Sequence, residues 1–183
     1  MKKTMAACLT SLALAAPALA GEPNTYYGAI EAGVWTQKNS SFLNPGVVIL
    51  TGGYRVNTNL AAEIGLYLPG YTKIDYGSGN TVTAKQNAFK VAVVGTLPLG
   101  EKFEVFGKVG FASIYGEQDG TGIYSTTYSE RTSNVMAGFG GQFNISNKFA
   151  LRLQYESLGQ RKLAPSATAV DISVTSLGLL YTF

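Results

Sequence analysis

Hydrophobic and polar residues alternate along most of this chain. Over residues 103–115 one face carries Phe103, Val105, Gly107, Val109, Phe111, Ser113 and Tyr115, and the other carries Glu104, Phe106, Lys108, Gly110, Ala112 and Ile114. Residues 149–157 repeat the pattern, with Phe149, Leu151, Leu153 and Tyr155 opposed to Ala150, Arg152, Gln154 and Glu156. A period of two with unlike faces predicts β-strand. Comparable runs occur at 26–36, 46–56, 60–68, 85–97, 131–143 and 171–183, which makes eight strands. Val47-Val48-Ile49-Leu50 is continuously apolar, so the parity of its strand is taken from Tyr54 and Arg55. No segment keeps helical spacing for more than about two turns, and no window after residue 21 reaches the roughly 18 apolar residues of a spanning helix.

The connections alternate in length. Residues 56–59, 98–102 and 144–148 are short and rich in Asn, Pro, Gly and Lys, the chemistry of tight hairpin turns. Between them lie longer polar stretches at 37–45, 69–84, 116–130 and 159–170, which predict loops. A hairpin repeated four times, with short turns at one end and long loops at the other, predicts an eight-stranded antiparallel barrel. Which face is apolar decides its solvent. A soluble barrel needs a densely charged exterior. Here the apolar faces are almost free of charge over about nine to eleven residues, enough to cross a bilayer as tilted strand. The opposite faces carry one or two charges per strand, too few to solvate an exterior and enough for a polar lumen. Aromatic residues gather near strand ends, at Tyr26, Tyr27, Trp35, Phe103, Tyr115, Phe149, Tyr155, Tyr181 and Phe183, where headgroup-level belts are expected.

Composition narrows the chemistry. Of 183 residues only 14% are charged, while Gly (22) and Tyr (11) are abundant. The first twenty residues read as a cleavable signal: Lys2 and Lys3 at the head, an apolar stretch, then Ala18-Leu19-Ala20 before Gly21. Without Lys2 and Lys3 the formal charge of +3 falls close to neutral, so nucleic acid is not an expected partner. Cys8, the one cysteine, lies within the signal, which leaves no disulfide and no thiol chemistry. There is no histidine, which removes imidazole as base or ligand.

The last strand alternates Leu177, Leu179, Tyr181 and Phe183 and resembles the assembly signal of bacterial outer-membrane proteins. Asn59-Leu60-Ala61-Ala62-Glu63-Ile64-Gly65, Phe89-Lys90-Val91, Leu151-Arg152-Leu153-Gln154-Tyr155 and residues 176–183 resemble the corresponding strands of OmpA-type (OmpA/OmpX-like) transmembrane domains. The resemblance implies an all-β, up-and-down transmembrane barrel in the bacterial outer membrane, with short periplasmic turns and long extracellular loops. Residues 21–183 would form its single domain, a monomer in contact with outer-membrane lipid, lipopolysaccharide and the assembly machinery. The peptidoglycan-binding domain that follows the barrel in OmpA has no counterpart before Phe183, so no cell-wall tether is expected.

Strand parity points Glu31, Arg55, Glu63, Lys90, Glu104, Lys108, Arg152 and Glu156 into the lumen, four acids and four bases. Arg152 is expected at the level of Glu31, Glu63 and Glu104. Charges confined there must pair. The cluster reads as a salt-bridged plug or, on the family resemblance, as a gate of a narrow pore whose pairs exchange partners. Glu63, Lys90 and Arg152 match three members of the family's cluster. Its acid on the sixth strand is missing, since Asn134, Met136 and Gln142 point inward there.

No enzyme, cofactor or metal is expected. Histidine-dependent lipases and proteases are excluded, and a hydrolytic pair from Glu63 and Glu104 could not receive a sugar in a filled lumen. Asp75, Glu117, Asp119 and Glu130 lack calcium-loop spacing and read as solvated loop charges. Gly138, Gly140 and Gly141 read as clearance for neighbouring side chains. Tyr71, Tyr76, Tyr124 and Tyr128, set among Gly, Ser and Thr, read either as headgroup-level decoration or as candidate loop contacts for an unidentified surface ligand.

Overall fold

The computed structural model describes residues 22–38, 44–122, 127–162 and 169–183. The expected signal, the junction at Gly21 and Tyr124 lie outside the described residues. Nine strands follow in order among the described residues: β1 (Thr25–Lys38), β2 (Gly46–Asn57), β3 (Leu60–Pro69), β4 (Thr72–Asp75), β5 (Thr81–Pro98), β6 (Phe103–Gly120), β7 (Thr127–Asn144), β8 (Phe149–Lys162) and β9 (Ala169–Thr182). All pairings are antiparallel. Sequence neighbours pair except β3 and β4, β9 closes onto β1, and β3 pairs β5, so eight strands form a closed barrel and β4 is an extra strand on β5. Closure satisfies the backbone donors and acceptors that a hydrocarbon surround cannot.

The extra strand β4 sits within a stretch expected to be a loop. Pro69 cannot donate to the ladder. The β3–β5 pairing ends at Tyr67↔Ala88, and β4 resumes it from Thr72↔Ala84. Its hairpin turns through Gly77, Ser78 and Gly79, all at positive φ, with the Gly77 amide held by Asp75 Oδ1 at 2.8 Å. The other loops are also shorter than expected. β6 and β7 pair out to Asp119↔Thr127, so Glu117, Asp119, Tyr128 and Glu130 lie on strands rather than in a loop. Thr, Ser, Tyr and Gln continue a strand on both sides of the apolar belt, because the ladder needs only backbone groups and β-compatible side chains.

The alternating faces point as the sequence requires. Ile30, Val34, Ile64, Val93, Val109, Phe139 and Leu153 project outward, while the opposite face fills the interior. Two residues expected in the aromatic belts do not lie there: Tyr27 and Trp35 are 3% and 0% exposed and point into the lumen. Both share the parity of Glu31, and on a strand parity outranks aromatic character. The belt at the short-turn end consists of Tyr26 against Tyr54 (ring centroids 4.9 Å apart) and of Phe149, Tyr181 and Phe183 in series at 5.1 Å.

Candidate functional site in the barrel lumen

All eight charged residues assigned to the lumen are buried there. Long side chains fit because glycines stand opposite them. Gly178 lies across from both Glu31 and Arg152, and Gly138 across from both Lys108 and Glu156. A Cβ on Gly178 would collide with Glu31 Cγ, and one on Gly138 would lie 2.9 Å from Glu156 Cγ.

Glu63 on β3 is the hub of the cluster. Its Oε1 accepts from Arg152 Nη1 at 2.5 Å and from the Tyr27 hydroxyl at 2.9 Å, and its Oε2 accepts from Lys108 Nζ at 2.7 Å. Arg152 also donates to Gln142 Oε1 at 3.1 and 3.3 Å, and its guanidinium lies 4.8 Å from the Phe106 ring and 5.5 Å from that of Tyr27. Lys108 donates in addition to Gln154 Oε1 at 2.8 Å and lies 3.3 Å from Glu156 Oε1. Lys90 completes a second centre on Glu156, at 2.6 Å, with the Tyr67 hydroxyl donating to the other carboxylate oxygen at 2.6 Å.

Two acids depart from the expected arrangement. Glu104 does not share Arg152. It faces Arg55 at 3.7 Å near the short-turn mouth and accepts from Asn144 Nδ2 at 2.7 Å. Glu31 has no ion pair among the described residues. Its Oε2 accepts from Gln154 Nε2 and Ser176 Oγ, both at 2.6 Å, and its Oε1 has no partner among them. Arg152 and Lys108 both pair with Glu63, and Gln154 and Ser176 serve Glu31 instead. Glu63 and Glu104, weighed as a hydrolytic pair, therefore belong to separate ion pairs.

Sequence reasoning did not assign roles to Tyr27, Tyr67, Gln154 and Ser176, which bind these carboxylates. Parity with Glu31, Glu63 and Glu156 was the available signal, since each polar neighbour lies on the same face as a buried charge. Met136 and Gln142 point inward as expected. Asn134, on the same face as its buried partner Ala112, also bridges to β8, donating to the carbonyls of Leu158 (3.2 Å) and Gln160 (2.9 Å) above the last β7–β8 pair, Ala137↔Ser157.

Toward the loops the cluster is capped by an apolar layer that includes Trp35, Ile49, Ile114, Met136, Leu158 and Ile172, all 0% exposed. Toward the turns lies a vestibule of about 630 Å³ with Arg55, Glu104 and Asn144 among its lining. Tyr71 and Tyr76 are 72% and 57% exposed at the loop end, Tyr128 lies in β7, and Leu177, Leu179 and Phe183 face outward on β9. Among the described residues no three His, Cys, Asp or Glu side chains converge as a metal site.

The fold is shared with solved outer-membrane proteins. Ail, the attachment invasion locus protein of Yersinia pestis, superposes with a TM-score of 0.60 at 17% identity, over 88% of this chain and 99% of that one. Neisserial surface protein A gives 0.63 at 12% identity, over 87% and 97%, and OprG of Pseudomonas aeruginosa 0.62 at 10%, over 90% and 99%. No curated protein sequence matches the chain significantly. The family model for the outer membrane protein beta-barrel domain matches residues 6–183. The alternation of faces, the closed eight-stranded barrel and this match agree: the chain belongs to the outer membrane beta-barrel family and resides in the bacterial outer membrane.

Proposed function

We propose that the protein works as a closed barrel that holds its loop end at the cell surface as a contact structure, without catalysis. The observation that carries this reading is the filled lumen, in which ion pairs and an apolar layer occupy successive levels of the bore. The strands support it. β5, β6 and β7 have 18 residues each, well beyond the about ten needed to cross a bilayer, so a stiff sheet bearing Tyr71 and Tyr76 rises above the membrane. An eight-stranded bore is just wide enough for side chains to fill.

The test is conductance of the purified protein in a planar bilayer. Silence is expected across the voltage range the membrane withstands. Discrete openings would retire this reading in favour of a small gated pore. One observation favours that second reading: Lys108 lies between Glu63 and Glu156 while Glu31 has only neutral donors, so the four cations have a carboxylate to which pairing could transfer.

A further inference from the structure

The turn-side vestibule holds an ion pair unlike the others described in the lumen. Lys90 and Lys108 donate to carboxylate oxygens at 2.6 and 2.7 Å, and Arg152 donates to Glu63. The Arg55 guanidinium donates to no described residue. Its Nη1 stops 3.7 Å from Glu104 Oε2, and the Tyr27 ring centroid lies 5.9 Å away. Glu104 is half-used in turn: Oε1 accepts from Asn144 Nδ2 at 2.7 Å, while Oε2 accepts no hydrogen bond among the described residues.

Both side chains are more than nine-tenths buried, at 5% and 2% exposed, and both line the vestibule of about 630 Å³. Neither is sealed, because the enclosed polar atoms without a partner lie elsewhere, on Glu31, Trp35, Thr51 and Gln86. A register shift between Arg55 and Asn57 interrupts the β2–β3 ladder here, and bulges at barrel rims re-aim side chains.

This arrangement restricts the guest. The cation and the anion balance, so a net-neutral guest leaves no buried charge unpaired. Their facing atoms are 3.7 Å apart, so one compact guest reaches both. A carboxylate gives Arg55 the planar partner it lacks, and an ammonium gives Glu104 Oε2 a donor. Carried on one carbon, those two groups close a ring of alternating charge with this pair. Ala150 and Leu180, both buried and both lining the vestibule, add an apolar wall.

We propose that the vestibule binds a free α-amino acid with an apolar side chain, entering from the turn side. Its carboxylate sits on Arg55, its ammonium on Glu104, and its side chain against Ala150 and Leu180. Peptide termini are selected against, since each carries only one of the two charges. The site stands apart from conduction, because it needs only the vestibule and not a path through the apolar layer.

The experiment is saturation-transfer NMR of the folded barrel in detergent. It is titrated with L-leucine, with isocaproate, which lacks the ammonium, and with isoamylamine, which lacks the carboxylate. Leucine should bind about tenfold more tightly than either analogue, the worth of one charge-assisted hydrogen bond. Arg55→Gln and Glu104→Gln should each weaken leucine by a similar factor. Heat-modifiable gel migration checks that each variant is folded, and Lys73→Gln, exposed at the loop end, should bind as wild type. No saturable leucine binding would overturn the proposal, as would undiminished binding in either folded glutamine variant. Equal binding of isocaproate would make this an anion site, and equal binding of isoamylamine a cation site; either result overturns the assignment to an amino acid.

Discussion

Glu63→Gln isolates the charge at the centre of the lumen, because the amide keeps the shape of the side chain and opens no cavity. Removing one partner of a buried pair costs about 3–5 kcal/mol, since the other charge stays buried and uncompensated. Here two cations lose their shared carboxylate, yet neither is left bare. Lys108 keeps Gln154 at 2.8 Å and Glu156 at 3.3 Å, and Arg152 keeps Gln142 and the faces of Phe106 and Tyr27. Those contacts place the expected loss near the lower end, about 3 kcal/mol. An exposed pair would cost no more than about 1 kcal/mol. The measurement is urea unfolding of barrels folded in identical vesicles, read by the heat-modifiable band. Glu63→Gln with Arg152→Met restores charge balance with apolar filling, and such replacements are often neutral, so the double variant should return to within about 1 kcal/mol of wild type. A single variant within about 0.5 kcal/mol of wild type would refute the buried-hub argument. Strictly additive losses in the double variant would mean that Glu63 and Arg152 are not coupled.

Three further outcomes follow from the same geometry. Gly138→Ala places a Cβ 2.9 Å from both Glu156 Cγ and the Tyr155 carbonyl, so it should cost about 1–3 kcal/mol in the urea assay, whereas Gly107→Ala, whose Cβ meets only the Gly138 carbonyl at 4.0 Å, should be silent. Deleting Phe183 removes the amide that donates to Tyr26 O at 3.0 Å and the ring packed on Tyr181, and the amount of folded barrel recovered from envelopes should fall sharply. Met136→Ser, which puts a hydroxyl into the apolar layer, should raise bilayer conductance above the wild-type level, whereas Arg55→Gln at the turn-side mouth should not.

The strands and their faces were legible because a period of two assigns every side chain once a single one is placed. Tyr54 and Arg55 together set the parity of a strand whose apolar run is ambiguous, and the structure buries Arg55. The same rule was enough for Tyr27 and Trp35, which were assigned by residue type to the membrane belts and lie in the lumen. Strand ends were less legible. Composition marks where the hydrocarbon ends, and β5, β6 and β7 continue past that level in Thr, Tyr and Gln on backbone pairing alone. Pair identity was not legible at all. Which cation reaches Glu63 depends on stagger between strands far apart in sequence, and no local pattern encodes the distance from Arg152 to Glu31 rather than to Glu63.

On the closed-barrel reading proposed above, the two levels of the lumen resist ions by different means. Charged groups at the turn-side end border a vestibule, and Arg55 and Glu104, at 3.7 Å, form the longest ion pair among the described residues. Water reaching that level could solvate those charges and loosen their pairing, because a lone buried charge is costly only while it stays dry. The layer of Trp35, Ile49, Ile114, Met136, Leu158 and Ile172 has no such response. Its side chains offer an ion no ligands, and any path through it requires packed groups to separate. An exchange of partners among Glu63, Lys108 and Glu156 would therefore leave the bore shut unless the apolar layer also moved. On that closed-barrel reading, the charge cluster fills the interior of the barrel and the apolar layer above it seals the bore.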